Sequence, residues 1–153
     1  MAQIPVDFGV LMLNHPSYKK IRELVDGIPE DWETCCIQMS YALNKAGALV
    51  KNRKGNVAFI QGGQDYMSLV STMRGYLNDE FGEAENYVRE SKMARIAIIS
   101  QITDRQGIIG FGDRHIDLWD RNNIHRPSYY ILSALWEAPS VYKVGISFWE
   151  VGA

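Results

Sequence analysis

Two adjacent cysteines, Cys35 and Cys36, stand at the start of a segment with helical periodicity. A thiol attacks a carbonyl carbon as its thiolate, and the N–H groups and dipole at a helix N-terminus stabilise that anion. A nucleophilic cysteine also needs a base within hydrogen-bond reach, and the imidazole candidates are His15, His115 and His125. These residue types therefore permit thiol-based acyl transfer.

One of these histidines, His115, opens a segment of alternating polarity. His115, Asp117 and Trp119 share one face of the expected strand, and Ile116 and Leu118 share the other. A cysteine at a helix start packed against a strand histidine, in this order along the chain, is typical of papain-like sites. On residue types alone, however, a cysteine pair more often fills a core, and a lone strand histidine is more often structural.

The two cysteines differ in their helical phase. Neighbours on a helix point about 100° apart, so only one of the two can face a histidine on a packed strand. Cys36 is in phase with Met39, Leu43 and Ala46, an apolar stripe that should face the core. Cys35 lies at the edge of that stripe and nearer the positive end of the helix. Cys35 is therefore the predicted nucleophile.

The sequence offers no pattern for a metal centre or a structural disulfide. Adjacent cysteines do not normally form a disulfide, because the ring through one peptide bond is strained. Two cysteines and three histidines without C-x2-C spacing do not predict a zinc site. Residues 107–112 contain glycines but no following Lys-Ser/Thr, so they are not a phosphate loop. We expect no cofactor and no metal.

Periodicity predicts the elements that position these residues. Three- and four-residue spacing predicts helices at 18–25, 34–45 and 66–81, each followed by a glycine. Alternating or β-branched segments predict strands at 57–60, 94–102, 108–111, 115–119 and 144–151. Helices followed by strands predict an α+β fold, with N-terminal helices packed on a C-terminal antiparallel sheet.

Composition and charge limit the classes of function. The 153 residues predict a single domain, residues 1–153, with one substantial core. A net charge of −2 without a long basic run argues against nucleic acid or an anionic membrane as partner. No apolar stretch approaches the roughly 18 residues needed to span a bilayer. The N-terminus lacks the pattern of a secretory signal, so we expect the protein to be made in the cytoplasm.

Four blocks of the sequence resemble one known family, the type VI secretion amidase effectors of the fourth class. Residues 33–47, ETCCIQMSYALNKAG, are similar to the family's nucleophile helix, which reads roughly N-T-C-A-x-R-M-S-x-A-L-N-x-A-G. Residues 107–109 and 115–120 resemble its G-I-I…G-H-x-x-L-W-D/N strand pair. Residues 73–82 and 148–150 resemble the helix between these blocks and the closing strand. The blocks occur in the family's order.

This resemblance implies a papain-like fold of the NlpC/P60 branch and a cysteine amidase. It also implies hydrolysis of the bond between D-glutamate and meso-diaminopimelate in peptidoglycan stem peptides. Such toxins are delivered by type VI secretion components into the periplasm of rival bacteria, and a cognate immunity protein protects the producer. By position, the family's nucleophile falls on Cys35 and its base on His115. The alternatives are a degenerate domain that binds without cleavage, and a thiol protease or transferase acting on proteins.

The chain departs from the family pattern at several positions near these residues. Glu33 replaces Asn, Cys36 replaces Ala, Gln38 replaces Arg, and Arg114 stands where a Gly usually precedes the histidine.

The third catalytic position, an Asp in the family, falls on Arg126, which cannot accept a hydrogen bond. A turn shorter by one residue would place His125 there instead, and His125 is the predicted third residue. Asp120 is the alternative, although it has the opposite strand parity to His115.

Overall fold

The computed structural model describes residues 3–50, 59–61, 63–89, 94–125 and 132–152. The helices are α1 (Phe8–Asn14), α2 (Tyr18–Leu24), α3 (Cys35–Lys45), α4 (Val70–Phe81), α5 (Arg95–Ile102), α6 (Leu132–Trp136) and α7 (Pro139–Lys143). The strands are β1 (Gln3–Ile4), β2 (Phe59–Gln61), β3 (Gln64–Tyr66), β4 (Glu85–Tyr87), β5 (Gln106–Phe111), β6 (His115–Asp120), β7 (Asn123–Ile124) and β8 (Ile146–Val151).

The centre of the molecule is a mixed sheet in the order β1-β8-β5-β6-β7, with β4 also paired to β8. Strands β5 and β6 pair antiparallel over their full lengths, from Gln106 opposite Asp120 to Phe111 opposite His115. The single parallel pair in the described sheet is β1 with β8. The α+β class predicted from the sequence is confirmed, but the sheet is mixed because the N-terminal strand joins its edge.

Helices cover both faces of this sheet. On one face, Ile108, Ile116, Leu118 and Trp149 pack with buried residues of α1, α3 and α4. On the other face, a second core contains buried residues of α5, α6 and α7 together with Ile109, Phe111, Trp119 and Phe148. The simple prediction of N-terminal helices on a C-terminal sheet is therefore incomplete, because the later helices form another layer.

Helix α3 is the most buried helix of the N-terminal half, and polar side chains fix it from within. The hydroxyl of Ser40 donates to the carbonyl of Cys36 at 2.8 Å and accepts from the N–H of Met67 at 3.0 Å. The amide of Asn44 accepts from the N–H of Val50 at 2.7 Å and donates to the carbonyl of Asp65 at 3.0 Å. These bonds satisfy backbone groups that would otherwise be costly to bury.

Two predicted elements differ from the structure. The segment 94–102, predicted as a strand, is helix α5. Ile98 and Ile102, four residues apart, are buried, whereas Ile96 is 82% exposed, so the apolar residues follow a helical period. The helix predicted at 66–81 begins at Val70 instead, because Tyr66 belongs to the hairpin strand β3.

The strand predicted at 57–60 overlaps β2 at residues 59 and 60, and residues 51–58 lie outside the described part. Within the described residues, no helix has the length and apolar character that a bilayer crossing requires.

The end of the sheet where β5 begins carries a dense ion-pair network. The guanidinium of Arg105 binds Glu150 through Nε at 2.9 Å and Glu85 through both terminal nitrogens, at 2.9 and 2.5 Å. Tyr87 donates to Glu85 at 2.7 Å. Because these residues come from β4, β8 and the α5–β5 connection, the network ties three parts of the chain together at this end.

Candidate active site

The first turn of α3 presents Cys35 next to backbone N–H groups. Thr34 occupies the N-cap position but makes no side-chain cap hydrogen bond. Its hydroxyl donates instead to the side-chain oxygen of Gln38 at 2.8 Å, and the Gln38 amide donates to the carbonyl of Pro16 at 2.8 Å. Since the Thr34 hydroxyl is directed to Gln38, it leaves the first-turn N–H groups available to an anion.

The thiol of Cys35 lies against the edge of β6. Strand β7 pairs only with Trp119 and Asp120 among the described residues, so it does not extend along the start of β6. There the backbone N–H of Ile116 donates to Cys35. An edge strand offers unpaired N–H groups to whatever lies beside it, and here the neighbour is the cysteine sulfur.

His115 and Asp117 form a buried pair on one face of β6. The Nε2 atom of His115 lies 3.0 Å from Oδ2 of Asp117, and the other carboxylate oxygen accepts the N–H of Leu118 at 2.7 Å. His115 is 2% exposed and Asp117 is fully buried. His115 also interacts electrostatically with Cys35. With Nε2 held by Asp117, Nδ1 is the nitrogen placed to exchange a proton with the sulfur.

This environment favours the charged forms of both reacting groups. The pKa of Cys35 is lowered to about 5, first by the hydrogen bond from the Cys36 thiol, which outweighs the opposing effect of burial. The hydrogen bond and positive charge of His115, and the N–H of Ile116, lower it further. Near neutral pH the sulfur is therefore a thiolate, which is the reactive form.

For His115, burial alone would lower the pKa, since it disfavours the imidazolium. The hydrogen bonds to Asp117 and Cys35, with the negative charges of both, outweigh burial and raise the pKa to about 10. Burial and the neighbouring thiolate raise the pKa of Cys36 well above its usual range, so Cys36 remains a thiol donor. The arrangement is a thiolate–imidazolium pair, oriented by a carboxylate.

The other residues considered for the third catalytic position make different described contacts. The ring of His125 lies 5.4 Å from that of His15, and its backbone N–H donates to Leu118. Asp120, at the far end of β6, accepts from Gln106 at 3.1 Å and from Arg121 at 2.7 Å. Arg126 lies outside the described residues.

The carboxylate that contacts His115 is Asp117, which the sequence analysis placed on the same face but did not consider as a catalytic residue. The assignment of His125 thus stays a prediction, without support from a described contact to His115. The available signal was the i, i+2 spacing of a histidine and an aspartate in an alternating strand.

The turn between β5 and β6 brings two of the departures from the family pattern together. Arg114, directly before His115, pairs with Glu33, which lies two residues before Cys35, at 3.8 Å. Both side chains are about half exposed, at 51% and 47%. Such a pair contributes roughly 0–1 kcal/mol to stability, so it does little to hold the fold.

The donor set does not suggest a metal centre. Across the described ranges, no group of three or more His, Cys, Asp or Glu side chains is arranged to hold a metal ion. The cluster at Cys35 instead brings together a thiol, an imidazole and a carboxylate, the residue types that covalent acyl transfer uses.

Comparison with family models identifies the family of this chain. The model described as "Type VI secretion system (T6SS), amidase effector protein 4", or Tae4, matches residues 32–149. This chain belongs to the Tae4 family. The matched region begins just before Cys35 and includes both β5 and β6. No curated protein sequence matches the chain.

Solved structures of Tae4 proteins have the same fold. Tae4 from Enterobacter cloacae superposes with a TM-score of 0.67 at 22% identity, covering 99% of both chains. The Tae4–Tai4 effector–immunity complex from the same organism gives a TM-score of 0.67 at 21% identity, over 97% of this chain and 99% of that one. The Tae4–Tai4 complex from Salmonella Typhimurium gives 0.65 at 16% identity, over 97% and 99%.

Proposed function

We propose that this protein is a cysteine amidase toxin that hydrolyses peptidoglycan stem peptides, at the bond between D-glutamate and meso-diaminopimelate. The single observation that carries the proposal is that His115 interacts with Cys35 on one side and with Asp117 on the other. Membership of an amidase effector family supports the reaction class. The nucleophile helix against the edge of β6 is consistent with a papain-like architecture of the NlpC/P60 type.

The mechanism is acyl transfer in two steps. The Cys35 thiolate attacks the amide carbonyl, and the backbone N–H of Cys35 at the start of α3 donates to the developing oxyanion. His115 gives its proton to the leaving amine as the carbon–nitrogen bond breaks, which leaves a thioester on Cys35. His115 then removes a proton from water, the hydroxide attacks the thioester, and the freed thiolate recovers its pairing with the imidazolium.

Asp117 orients the base in this scheme. Its carboxylate fixes the ring of His115 and stabilises the imidazolium, the role that the third member of a triad performs. The departure at Arg126 favoured a degenerate domain that binds without cutting. Since Asp117 supplies a buried carboxylate to His115, that departure no longer argues against catalysis.

The biological setting follows from the family and its solved relatives. We infer delivery by type VI secretion components into the periplasm of rival bacteria, where stem peptides lie. The relatives solved as Tae4–Tai4 complexes support a cognate immunity protein as partner. If the target is the cell wall, the protein is harmless when expressed in the cytoplasm and lytic when a signal peptide directs it to the periplasm. Equal toxicity from both versions contradicts a cell-wall target.

The decisive experiment is mass spectrometry of purified peptidoglycan after incubation with the protein. Tetrapeptide muropeptides should lose the diaminopimelate–D-alanine dipeptide. Release of terminal D-alanine alone, or separation of cross-links alone, contradicts the assigned bond. The Cys35→Ala variant is the matched control, because any cleavage that it retains comes from a contaminant.

A further inference from the structure

Thr34 stands at the N-cap position of α3 but does not act as a cap. A capping residue is extended, and its side-chain oxygen accepts a hydrogen bond from the second or third N–H of the helix. Asp7 and Ser17 cap α1 and α2 in this way. Thr34 instead has φ −108° and ψ 2°, and its side chain makes no cap hydrogen bond. The nucleophile helix therefore begins with N–H groups that its N-cap hydroxyl does not cover.

The amide of Gln38 holds the Thr34 hydroxyl in this position. The hydroxyl donates to Oε1 of Gln38 at 2.8 Å, and Nε2 of Gln38 donates to the carbonyl of Pro16 at 2.8 Å. Because a side-chain amide has one donor end and one acceptor end, the Pro16 carbonyl fixes which end faces Thr34. Thr34 is 3% exposed and Gln38 is 2% exposed, so little solvent reaches these bonds.

The loop that leads to Thr34 is held separately, by Arg22 of α2. Its guanidinium donates to four backbone carbonyls at 2.8–3.3 Å, those of Ile28, Pro29, Glu30 and Trp32. The path of the chain up to residue 32 is therefore set without Gln38. A change at Gln38 should act on the direction of the Thr34 hydroxyl and not on the whole loop.

We infer that Gln38 is a positioning residue that keeps the Thr34 hydroxyl away from the first-turn N–H groups of the nucleophile helix. A hydroxyl oxygen seated on those groups would place its lone pairs at the helix end where the oxyanion develops, and would weaken the stabilisation that the N–H groups give to it. The inference rests on the proposed amidase function. Gln38 stands where the family pattern has Arg, and an arginine has no acceptor for the hydroxyl.

The test measures kcat and KM on a tetrapeptide muropeptide that carries meso-diaminopimelate. Gln38→Met removes the acceptor at similar volume and releases the hydroxyl to cap α3. We expect kcat to fall about 10- to 100-fold with KM within about twofold, because the affected N–H groups act in the transition state. Thr34→Val has no hydroxyl to misplace and should lose at most about threefold in kcat.

The double variant Thr34→Val/Gln38→Met separates positioning from packing. If Gln38 acts by restraining the hydroxyl, removing that hydroxyl should return kcat to the level of Thr34→Val. Lost packing alone predicts a double variant at least as slow as Gln38→Met. Asn44→Leu is the matched control, because Asn44 is the other buried amide of α3 that binds two backbone groups, at the far end of the helix. It should lower the urea midpoint and keep kcat/KM within about twofold.

Each outcome decides the inference. A double variant as slow as Gln38→Met, or Gln38→Met with the kcat of the wild type, overturns it and leaves the amidase proposal intact. If Gln38→Met does not fold, the double variant still decides, since it leaves no hydroxyl–amide pair half made. Its kcat at the level of Thr34→Val upholds the inference, and a larger loss overturns it.

A crystal structure of Gln38→Met decides the inference if the wild type cleaves no muropeptide and the amidase proposal falls. An extended Thr34, with its hydroxyl oxygen accepting from the second or third N–H of α3, upholds the restraining role of Gln38. A Thr34 side chain in its present direction overturns that role.

Discussion

The two ends of the central sheet both hold clustered charged groups, half-buried at one end and buried at the other, with different chemistry. At the start of β5, Arg105 donates hydrogen bonds to Glu85 and Glu150. We assign neither carboxylate a part in catalysis. At the start of β6, His115 and the carboxylate of Asp117 instead lie beside the sulfur of Cys35. The first cluster joins strands, and the second stabilises a thiolate.

Shifted pKa values alone do not distinguish the two ends. The bond from Arg105 holds the pKa of Glu85 below its usual range, and burial with the bond to Glu85 raises the pKa of Tyr87 to about 12. At the other end, the pKa of Cys35 is lowered to about 5 and the pKa of His115 is raised to about 10. The difference is that, at the β6 end, the shifted pKa values leave a thiolate beside an imidazolium near neutral pH.

The largest expected effect is the loss of the nucleophile. Cys35→Ala should reduce amidase activity by about five to six orders of magnitude, since removing a nucleophile abolishes the covalent route. The variant should stay folded, because the substitution removes a single sulfur atom and leaves the rest of helix α3 unchanged. Iodoacetamide near neutral pH should label Cys35 before Cys36 and abolish activity in step. Preferential labelling of Cys36, or an active Cys35→Ala variant, contradicts the assignment.

Removing the charge of Asp117 should be the next largest effect. Asp117→Asn keeps the shape but loses the carboxylate that holds Nε2–H of His115, and we expect a loss of about 10²- to 10⁴-fold in kcat. His125→Ala is the comparison, and it should stay within about threefold of wild type if Asp117 is the orienting group. The reverse pattern, with His125→Ala inactive and Asp117→Asn active, would support His125 as the third catalytic residue.

The pH dependence should show a plateau. The pKa of Cys35 is about 5 and that of His115 is about 10. We therefore expect kcat/KM to fall about tenfold per pH unit below pH 5 and above pH 10. The free energy of unfolding should depend on pH through the same two groups. The depressed pKa of Cys35 adds stability that is lost as pH falls through 5, and the raised pKa of His115 adds stability that is lost as pH rises through 10.

Urea unfolding at pH 4, 7 and 11 checks this profile against that of Cys35→Ala. The variant should lack the acid-side loss attributable to the thiolate. A single activity maximum near pH 6.5 contradicts the ion pair, because that is where an unperturbed histidine titrates.

At the opposite end of the sheet, a substitution should affect stability and leave activity unchanged. Glu85→Gln removes one carboxylate from Arg105 and should cost about 1–3 kcal/mol in the free energy of unfolding, the range for hydrogen bonds to charged groups. Its kcat/KM should stay within about twofold of wild type, since the network lies at the other end of β5. A large loss of activity at unchanged stability would show that the two ends are coupled.

The smallest effect is expected at Cys36. Cys36→Ala removes the thiol that donates to the thiolate, so the acid limb of the pH–rate profile should move to higher pH. Activity on the plateau should fall only a few-fold, with a loss of stability of about 1 kcal/mol for one buried sulfur. An unchanged acid limb contradicts the donor role of Cys36.

The sequence predicted those elements whose periodicity and end signals agree. Helix α3 ends before Gly47, as predicted from the glycine that follows its periodic segment. Gly47 has a φ of +93°, a left-handed conformation that glycine adopts readily. The segment 94–102 was predicted wrongly because its isoleucines favour a strand by type, whereas tertiary packing selects Ile98 and Ile102 as one helix face. The parallel pairing of β1 with β8 joins residues nearly 150 positions apart, and local patterns carry no information about such a contact.

The candidate site was predictable to the level of residue type and order. Helical phase and the position in the first turn indicated Cys35, and the alternating strand indicated His115. The carboxylate of Asp117 was not predicted, because the family's spacing places the third residue at 125 or 126. The sequence already placed Asp117 on the same strand face as His115, and the structure adds that the two side chains lie within hydrogen-bond distance.

The close cover over Cys35 has a consequence for chemical control of this protein. Its side chain is 8% exposed and that of His115 is 2% exposed, so little of the sulfur meets solvent. The edge of β6 and the histidine ring occupy two of its sides. A covalent inhibitor should therefore carry a slender, linear electrophile such as a nitrile, since branched or flat warheads would meet the strand before the sulfur.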